Sequence, residues 1–232
     1  MRQIALSDIH GCSVTFLAML DRLALSKADQ LFLLGDYVDR GPDSKGVIDT
    51  IFQLQEQGYQ VYCLRGNHEE LVLQAASGDF TGLDRWLPTD GKDTMDSFGV
   101  QTIADIPEKY LAWMRSLPYV FETNDYILVH AGLDFSMPDP LLPTNRMCWI
   151  RHWYENIQYD WLGERTIVHG HTPVQVQTTK TQLQHLDNQQ YLDIDTGCVF
   201  SHERFVDKEG LGYLCAFDMS NKQLIFQKNL EW

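Results

Sequence analysis

The 232-residue sequence contains no apolar run near the roughly 18 residues that a membrane-spanning helix requires. Its first apolar stretch is only Ile4-Ala5-Leu6, so no signal peptide is expected. Cysteine is sparse. The five residues (Cys12, Cys63, Cys148, Cys198, Cys215) form no Cys-x-x-Cys pair, which excludes a zinc knuckle and argues against a disulfide framework. They read as reduced, packed thiols, and the expected location is the cytoplasm. Basic residues are also few, with 18 Lys+Arg against 32 Asp+Glu and a formal net charge of -14. Non-specific binding of nucleic-acid polymers or of anionic membranes needs a dense basic footprint, so neither partner is expected. No repeat, low-complexity segment or linker interrupts the chain. With 44% apolar residues it reads as a single domain over 1–232, long enough to bury a sizeable core.

Hydrophobic spacing sets out the elements. Ile4 to Leu6, Leu31 to Leu34 and Val61 to Leu64 read as strands. Between them, Val14, Phe16, Leu17, Leu20 and Leu23 recur at helical spacing behind Ser13, which reads as an N-cap. Val47, Ile48, Ile51 and Leu54 mark a second helix that Gly58 closes, and Glu69 to Ala76 a third. Residues 79–118 read as irregular and mostly helical, with Pro107 opening a helix through Leu117. Tyr126 to Val129 and Thr166 to Val168 are further strands. From Val174 onward helical spacing is lost and alternation takes over, predicting an antiparallel sheet packed beside the first. The rhythm predicts a layered α/β fold.

Polar residues cluster where these strands end. Asp8 and His10 follow Leu6, and Gly35-Asp36 follows Leu34. Arg65-Gly66-Asn67-His68 follows Leu64, His130 follows Val129, and His169-Gly170-His171 follows Val168. Ligands of open α/β sheets bind beyond the carboxyl ends of strands, so these residues should meet on one rim. Carboxylate, imidazole and amide oxygen together suit Mn²⁺, Fe²⁺ or Zn²⁺. The donors are too many for one tetrahedral zinc, and two divalent ions sharing a carboxylate fit the count.

Asp8-Ile9-His10-Gly11, Gly35-Asp36-Tyr37-Val38-Asp39-Arg40-Gly41 and Gly66-Asn67-His68-Glu69 together resemble the signature of the calcineurin-like metallophosphoesterases. His130-Ala131-Gly132 and Gly170-His171-Thr172 resemble its later histidine motifs. The resemblance implies a β-sandwich of two mixed sheets flanked by helices, with a dimetal site at the strand C-terminal ends. It also implies that Asp8 and His10 hold one ion, that Asp36 bridges, and that Asn67, His130 and His171 complete the second. A water or hydroxide between the ions would be the nucleophile. His68 matches the family's general acid, and Asp39 the carboxylate that orients it and raises its pKa. Arg40 and Arg151 match phosphate-gripping arginines, with Asn67 also close to the phosphate. Manganese is the expected metal.

Other residues have plainer readings. Arg65 reads as a supporting salt bridge and His169 as a hydrogen-bonding neighbour, while His152, His185 and His202 match no ligand position. The aromatic segment Trp149 to Trp161 reads as loop packing, with a wall beside the substrate as the sharper alternative. Two substrates remain open. Asp39 and Glu69 resemble the bacterial and phage branch of serine/threonine protein phosphatases, so a phosphoprotein or phosphopeptide is the expected substrate. The alternative is a symmetrical dinucleoside tetraphosphatase of the same superfamily, which the aromatic segment favours.

Overall fold

The computed structural model describes residues 1–81, 83–84, 86–202 and 209–232. The elements run β1 (Gln3–Leu6), α1 (Ser13–Leu23), β2 (Gln30–Leu33), α2 (Ser44–Glu56), β3 (Gln60–Cys63), α3 (Asn67–Ala76), α4 (Asp90–Phe98) and α5 (Glu108–Ser116). They continue with β4 (Val120–Glu122), β5 (Tyr126–Val129), α6 (Tyr159–Leu162), β6 (Thr166–His169), α7 (Val176–Gln184), α8 (Leu186–Gln189), β7 (Tyr191–Asp193), β8 (Tyr213–Asp218) and β9 (Gln223–Lys228).

Two mixed sheets result. The first has the order β3-β2-β1-β8-β9, with β1, β2 and β3 parallel and the last two strands antiparallel. The second has the order β4-β5-β6-β7, with β4 antiparallel and the rest parallel. Side chains alternate across a strand, so each sheet presents two faces. Ala5, Phe32 and Phe217 of the first sheet meet Tyr126, Leu128, Val168 and Leu192 of the second in the core between them. On the other face of the first sheet, Ile4, Leu6, Leu31 and Leu33 pack under α1, α2 and α5 through Phe16, Met19, Ile48 and Met114. The outer face of the second sheet, Ile127, Val129 and Ile167, is covered by Leu133, Phe135, Trp153 and Leu162. The β-sandwich with flanking helices is the expected architecture. All five cysteines are buried and free. Among the described residues, no helix is long and apolar enough to cross a membrane.

Three details depart from expectation. The N-cap of α1 is Cys12, without a side-chain cap bond, and the Ser13 hydroxyl donates instead to Asp43 Oδ2 (2.8 Å). The segment after Val174 is not one antiparallel sheet: it holds α7 and α8, β7 runs parallel to β6, and only β8 and β9 are antiparallel. Helix α7 reads VQTTKTQLQ and buries only Thr179, so no apolar stripe marks it in the sequence. The short strand β4 was not anticipated either, because its three residues are too few to alternate visibly.

The register Gln3↔Gln30 is anchored beside the strands by Asp29. Its Oδ1 accepts the Arg2 backbone N–H (2.8 Å), and its Oδ2 accepts from Arg2 Nη2 (2.8 Å) and the Ser26 N–H (3.0 Å). The bond from Arg2 is the main reason its carboxyl lies below the ordinary aspartate range. A depressed folded pKa stabilises fully above the unfolded value of about 3.9, and the gain disappears as pH falls through the folded value. Asp29→Asn should therefore lower the Tm at neutral pH, with the gap to the parent closing below about pH 4. Thermal melts across that range check it.

Candidate metal centre

The loops leaving β1, β2, β3, β5 and β6 converge at one end of the sandwich. Six of the residues there have left-handed backbone: Asp8 (φ +55°), His10 (+46°), Asp36 (+57°), Asp39 (+71°), Arg40 (+67°) and His171 (+72°). Such strain in non-glycine residues persists only where packing enforces it, and it gathers at functional sites. Glycines make the convergence possible. A Cβ on Gly35 (φ +105°) would lie 2.6 Å from Gly66 N, and one on Gly170 would lie 2.1 Å from Asp8 Oδ2.

Glu69 sets the position of the central carboxylate. Its Oε1 accepts the Tyr37 N–H (2.9 Å), while its Oε2 accepts the N–H groups of Asp36 and Gly66 (2.9 Å each). Asp36 Oδ1 in turn accepts the His68 N–H (3.0 Å). Around Asp36 two donor groups form, each with ligand atoms within 4.8 Å of one another: His10, Asp36 and His68, and Asp36, His130 and His171. Asp36 belongs to both, the position that a bridging ligand occupies.

Backbone carbonyls fix the imidazole tautomers. His10 Nδ1 donates to Val38 O (2.9 Å) and His130 Nδ1 to Leu34 O (2.9 Å). Each ring thereby keeps a lone pair on Nε2, the arrangement typical of metal-binding histidines. His10 Nε2 faces Asp36 Oδ2 (3.5 Å) and Asp8 Oδ1 (4.0 Å), and His130 Nε2 faces Asp36 Oδ1 (3.5 Å). Asn67 Oδ1 lies 3.0 Å from His130 Nε2 and 2.8 Å from His171 Nδ1, while His171 Nε2 is buried with no partner. Asp8 Oδ2 accepts from the Ser7 hydroxyl and from the His171 N–H (3.0 Å), which leaves Oδ1 turned to His10. These side chains are 0–7% exposed. Burial, with Arg40 and neighbouring imidazoles, keeps His10 neutral, and it pushes His171 down to about 2. Burial, together with Asp8 and Glu69, pushes Asp36 well above the carboxylate range. Neutral imidazoles, an amide oxygen and crowded carboxylates form a donor set that fits divalent cations.

All six expected ligands therefore lie together, with one difference in grouping. The group around His10 and Asp36 takes in His68, whose Nε2 lies 3.9 Å from Asp36 Oδ2, while Asp8 Oδ1 lies 4.0 Å from His10 Nε2 outside that group.

His68 and Asp39 form a buried pair, Nδ1 to Oδ2 at 2.6 Å. Asp39 Oδ2 also accepts from Trp86 Nε1 (2.6 Å), and its Oδ1 accepts from the Thr94 hydroxyl. Its backbone N–H donates to Ser44 Oγ and Thr94 Oγ1 (3.0 Å each). The expected rise in the His68 pKa is not what the structure gives. Burial, then Arg40 and the imidazoles of His10, His130 and His171, pushes it well down, while burial pushes Asp39 up. Burial thus disfavours the charged form of both partners.

Arg40 Nη1 donates to His10 Nε2 (2.9 Å), and its Nε to Asp90 Oδ2 (3.2 Å). Arg151 is exposed, with Nη1 on Thr172 Oγ1 (2.8 Å) beside His171. The two arginines thus lie beside His10 and His171, at opposite donor groups. Arg65 supports the loop after β3 through Glu70 (2.9 Å). His169 donates from Nδ1 to Gly170 O (3.0 Å) and accepts from the Tyr154 hydroxyl (3.1 Å). Burial lowers it to about 4, which keeps it neutral. His152 and His185 are exposed, and His202 stacks edge-on against Trp232.

Sequence reasoning missed Trp86, Thr94, Ser44 and Asp90, for which no local pattern exists. Asp195 was findable: it follows the run Tyr191 to Ile194 as the other site residues follow their strands, and it is 3% exposed near Asp8.

A sequence profile of the calcineurin-like phosphoesterases matches residues 1–211. The chain belongs to this family. Curated relatives of this calcineurin-like phosphoesterase include the symmetrical bis(5'-nucleosyl)-tetraphosphatase of Chromobacterium violaceum, 38% identical over 130 residues, covering 56% of this chain and 42% of that protein. The enzyme of that name from Dechloromonas aromatica is 35% identical over 138 residues, covering 57% and 44%. The chain thus spans less than half the length of these relatives. Among solved structures, a protein assigned as a diadenosine tetraphosphatase superposes with TM-score 0.66 at 21% identity, over 99% of this chain and 94% of that one. A serine/threonine phosphatase from Saccharomyces cerevisiae superposes with TM-score 0.67 at 15% identity, over 100% and 81%. Both structures show the shared fold. The family works with a dinuclear metal site, and the two donor groups around Asp36 are groups that could hold metal ions.

Two consequences are measurable. Glu69→Gln replaces one acceptor oxygen by an amide, leaving a buried N–H unpaired, and should cost about 1–3 kcal/mol in urea unfolding of chelator-treated protein. Asp36→Asn should reduce metal content at both positions, measured by plasma mass spectrometry of manganese-loaded protein. One fully retained equivalent would show that Asp36 serves a single ion.

Proposed function

We propose that this phosphoesterase hydrolyses dinucleoside polyphosphates, cleaving a phosphoanhydride bond. The observation that supports this most directly is the name shared by its curated relatives, symmetrical bis(5'-nucleosyl)-tetraphosphatase, at identities of 29–38%. On this reading Asp8, His10, Asp36, Asn67, His130 and His171 hold two divalent cations, manganese being the metal we assign. Cations held there would supply Lewis acidity to neutralise phosphate oxygens and acidify bound water. Arg40 and Arg151 bind the phosphate oxygens from opposite sides, and the planar guanidinium suits both tasks. Asn67 reaches the same phosphate. His68, held by Asp39, positions a proton near the leaving oxygen.

A second reading has its own support. A nucleoside diphosphate leaves as a stable anion, whereas the alkoxide of serine or threonine must be protonated as the bond breaks. The buried His68–Asp39 pair, braced by Trp86 and Thr94, is equipment that an alkyl phosphate needs more. This favours phosphoserine or phosphothreonine in proteins. Asp39 and Glu69, which resemble the protein-phosphatase branch, lend this reading further support.

The test compares kcat/KM for diadenosine tetraphosphate and a phosphothreonine peptide, in the parent and in His68→Asn. The dinucleotide should be preferred by the parent, and EDTA should abolish turnover until Mn²⁺ is restored. His68→Asn should lower peptide turnover by about 10²–10⁴-fold, the usual contribution of a positioned acid, and the dinucleotide less. A parent that prefers the peptide establishes the second reading in place of the first.

A further inference from the structure

Two aromatic residues of the segment Trp149 to Trp161, Trp149 and Tyr159, are exposed and outside the core clusters, and of these Trp149 is the one beside a site residue, His171. Trp153 is 2% exposed and donates from Nε1 to Ala131 O (2.9 Å), within the cluster covering the second sheet. Trp149 is 44% exposed and outside that cluster. Yet its backbone is held firmly against the metal centre. Its N–H donates to Arg146 O (3.0 Å), the neighbouring Cys148 thiol donates to Arg65 O (3.1 Å), and Met147 O accepts the Ala131 N–H (2.9 Å). Those contacts fasten the segment to the loops that carry Asn67 and His130. The indole lies 6.5 Å from the His171 ring, centre to centre, at 79°. Two residues on, Arg151 reaches Thr172 beside His171. Behind Arg151 opens a cleft of about 360 Å³ lined by Arg146, Ile150 and His152.

An exposed indole 6.5 Å from the His171 ring, with Arg151 held on the adjacent Thr172, offers a π face where a ring attached to a phosphate bound there would arrive. Tryptophan combines a large apolar face with little conformational entropy to lose, and aromatic faces stack on any nucleobase. In a nucleotide only the ribose separates base from phosphate, so the base must land close to the phosphate grip. We propose that Trp149 is the platform on which the base of a nucleoside polyphosphate stacks while its phosphates lie between Arg40 and Arg151. This deepens the dinucleotide reading above and rests on it for the natural substrate. A phosphothreonine side chain carries no ring, so for such a substrate Trp149 would be silent.

The test uses competition against p-nitrophenyl phosphate turnover at saturating Mn²⁺, with two inhibitors: ADP, and inorganic diphosphate as the ligand without a base. In the parent, ADP should bind more tightly than diphosphate. Trp149→Ala should raise the inhibition constant of ADP about tenfold, within the range that losing one base–aromatic stack produces, and leave that of diphosphate unchanged. Trp149→Phe should keep most of the ADP affinity. If both inhibitors weaken together, Trp149 acts on the metal centre through His171 and the platform is overturned. If neither changes, the base lies elsewhere and the platform is equally overturned. Cleavage of diadenosine tetraphosphate is read separately. A parent that binds ADP through Trp149 but leaves the dinucleotide intact overturns the proposed function alone.

Discussion

Everything at the metal centre depends on one carboxylate that is not a ligand. Glu69 gathers three backbone N–H groups, two from the loop after β2 and one from the loop after β3. Charge-assisted bonds of this kind are stronger than neutral ones, and buried N–H groups left alone are costly. The two loops are therefore locked in one relative position. That lock orients Asp36, whose Oδ1 caps the N–H of His68 at the start of α3. A single buried side chain thus places the shared carboxylate, the amide of Asn67 and the imidazole of His68 in one frame.

Holding that frame is unfavourable locally. Six site residues adopt left-handed backbone, and buried carboxylates crowd together at Asp8, Asp36 and Asp195. The surrounding sandwich enforces the arrangement. Parallel strands β1, β2 and β3 deliver three loops in fixed register, and the core between the sheets sets the distance to His130 and His171. The acidic surface is then no obstacle to an anionic substrate. Cations at the centre and arginines at both sides would make a positive well within a chain of net charge -14, because local charges at short range outweigh distant, screened ones.

Much of this was legible in the sequence because it follows from strand periodicity. Runs such as Tyr126 to Val129 announce a buried strand, and polar residues placed just past several such runs announce a rim. The tail of the chain was not legible. Helix α7 buries a threonine where a pattern reader looks for leucine, and β7 joins the second sheet although β8 and β9 join the first. Nor does any local signal show that Trp86 and Thr94, some fifty positions away, brace Asp39. Contacts of that kind arise only from tertiary packing. The direction of the His68 pKa was misread for a related reason: the sequence shows a charged neighbour, but only the fold shows that both partners are fully desolvated.

The donor atoms come from both sheets, with Asp8, His10, Asp36 and Asn67 from the first and His130 and His171 from the second. Neither sheet alone carries the full set. A cation that binds this set favours only the docked sandwich, and by mass action it shifts the balance toward that state as its free concentration rises above its dissociation constant. The centre is thereby also a rivet between the two halves of the fold. Without a cation that contribution is absent, and the apolar core between the sheets alone holds the two halves together.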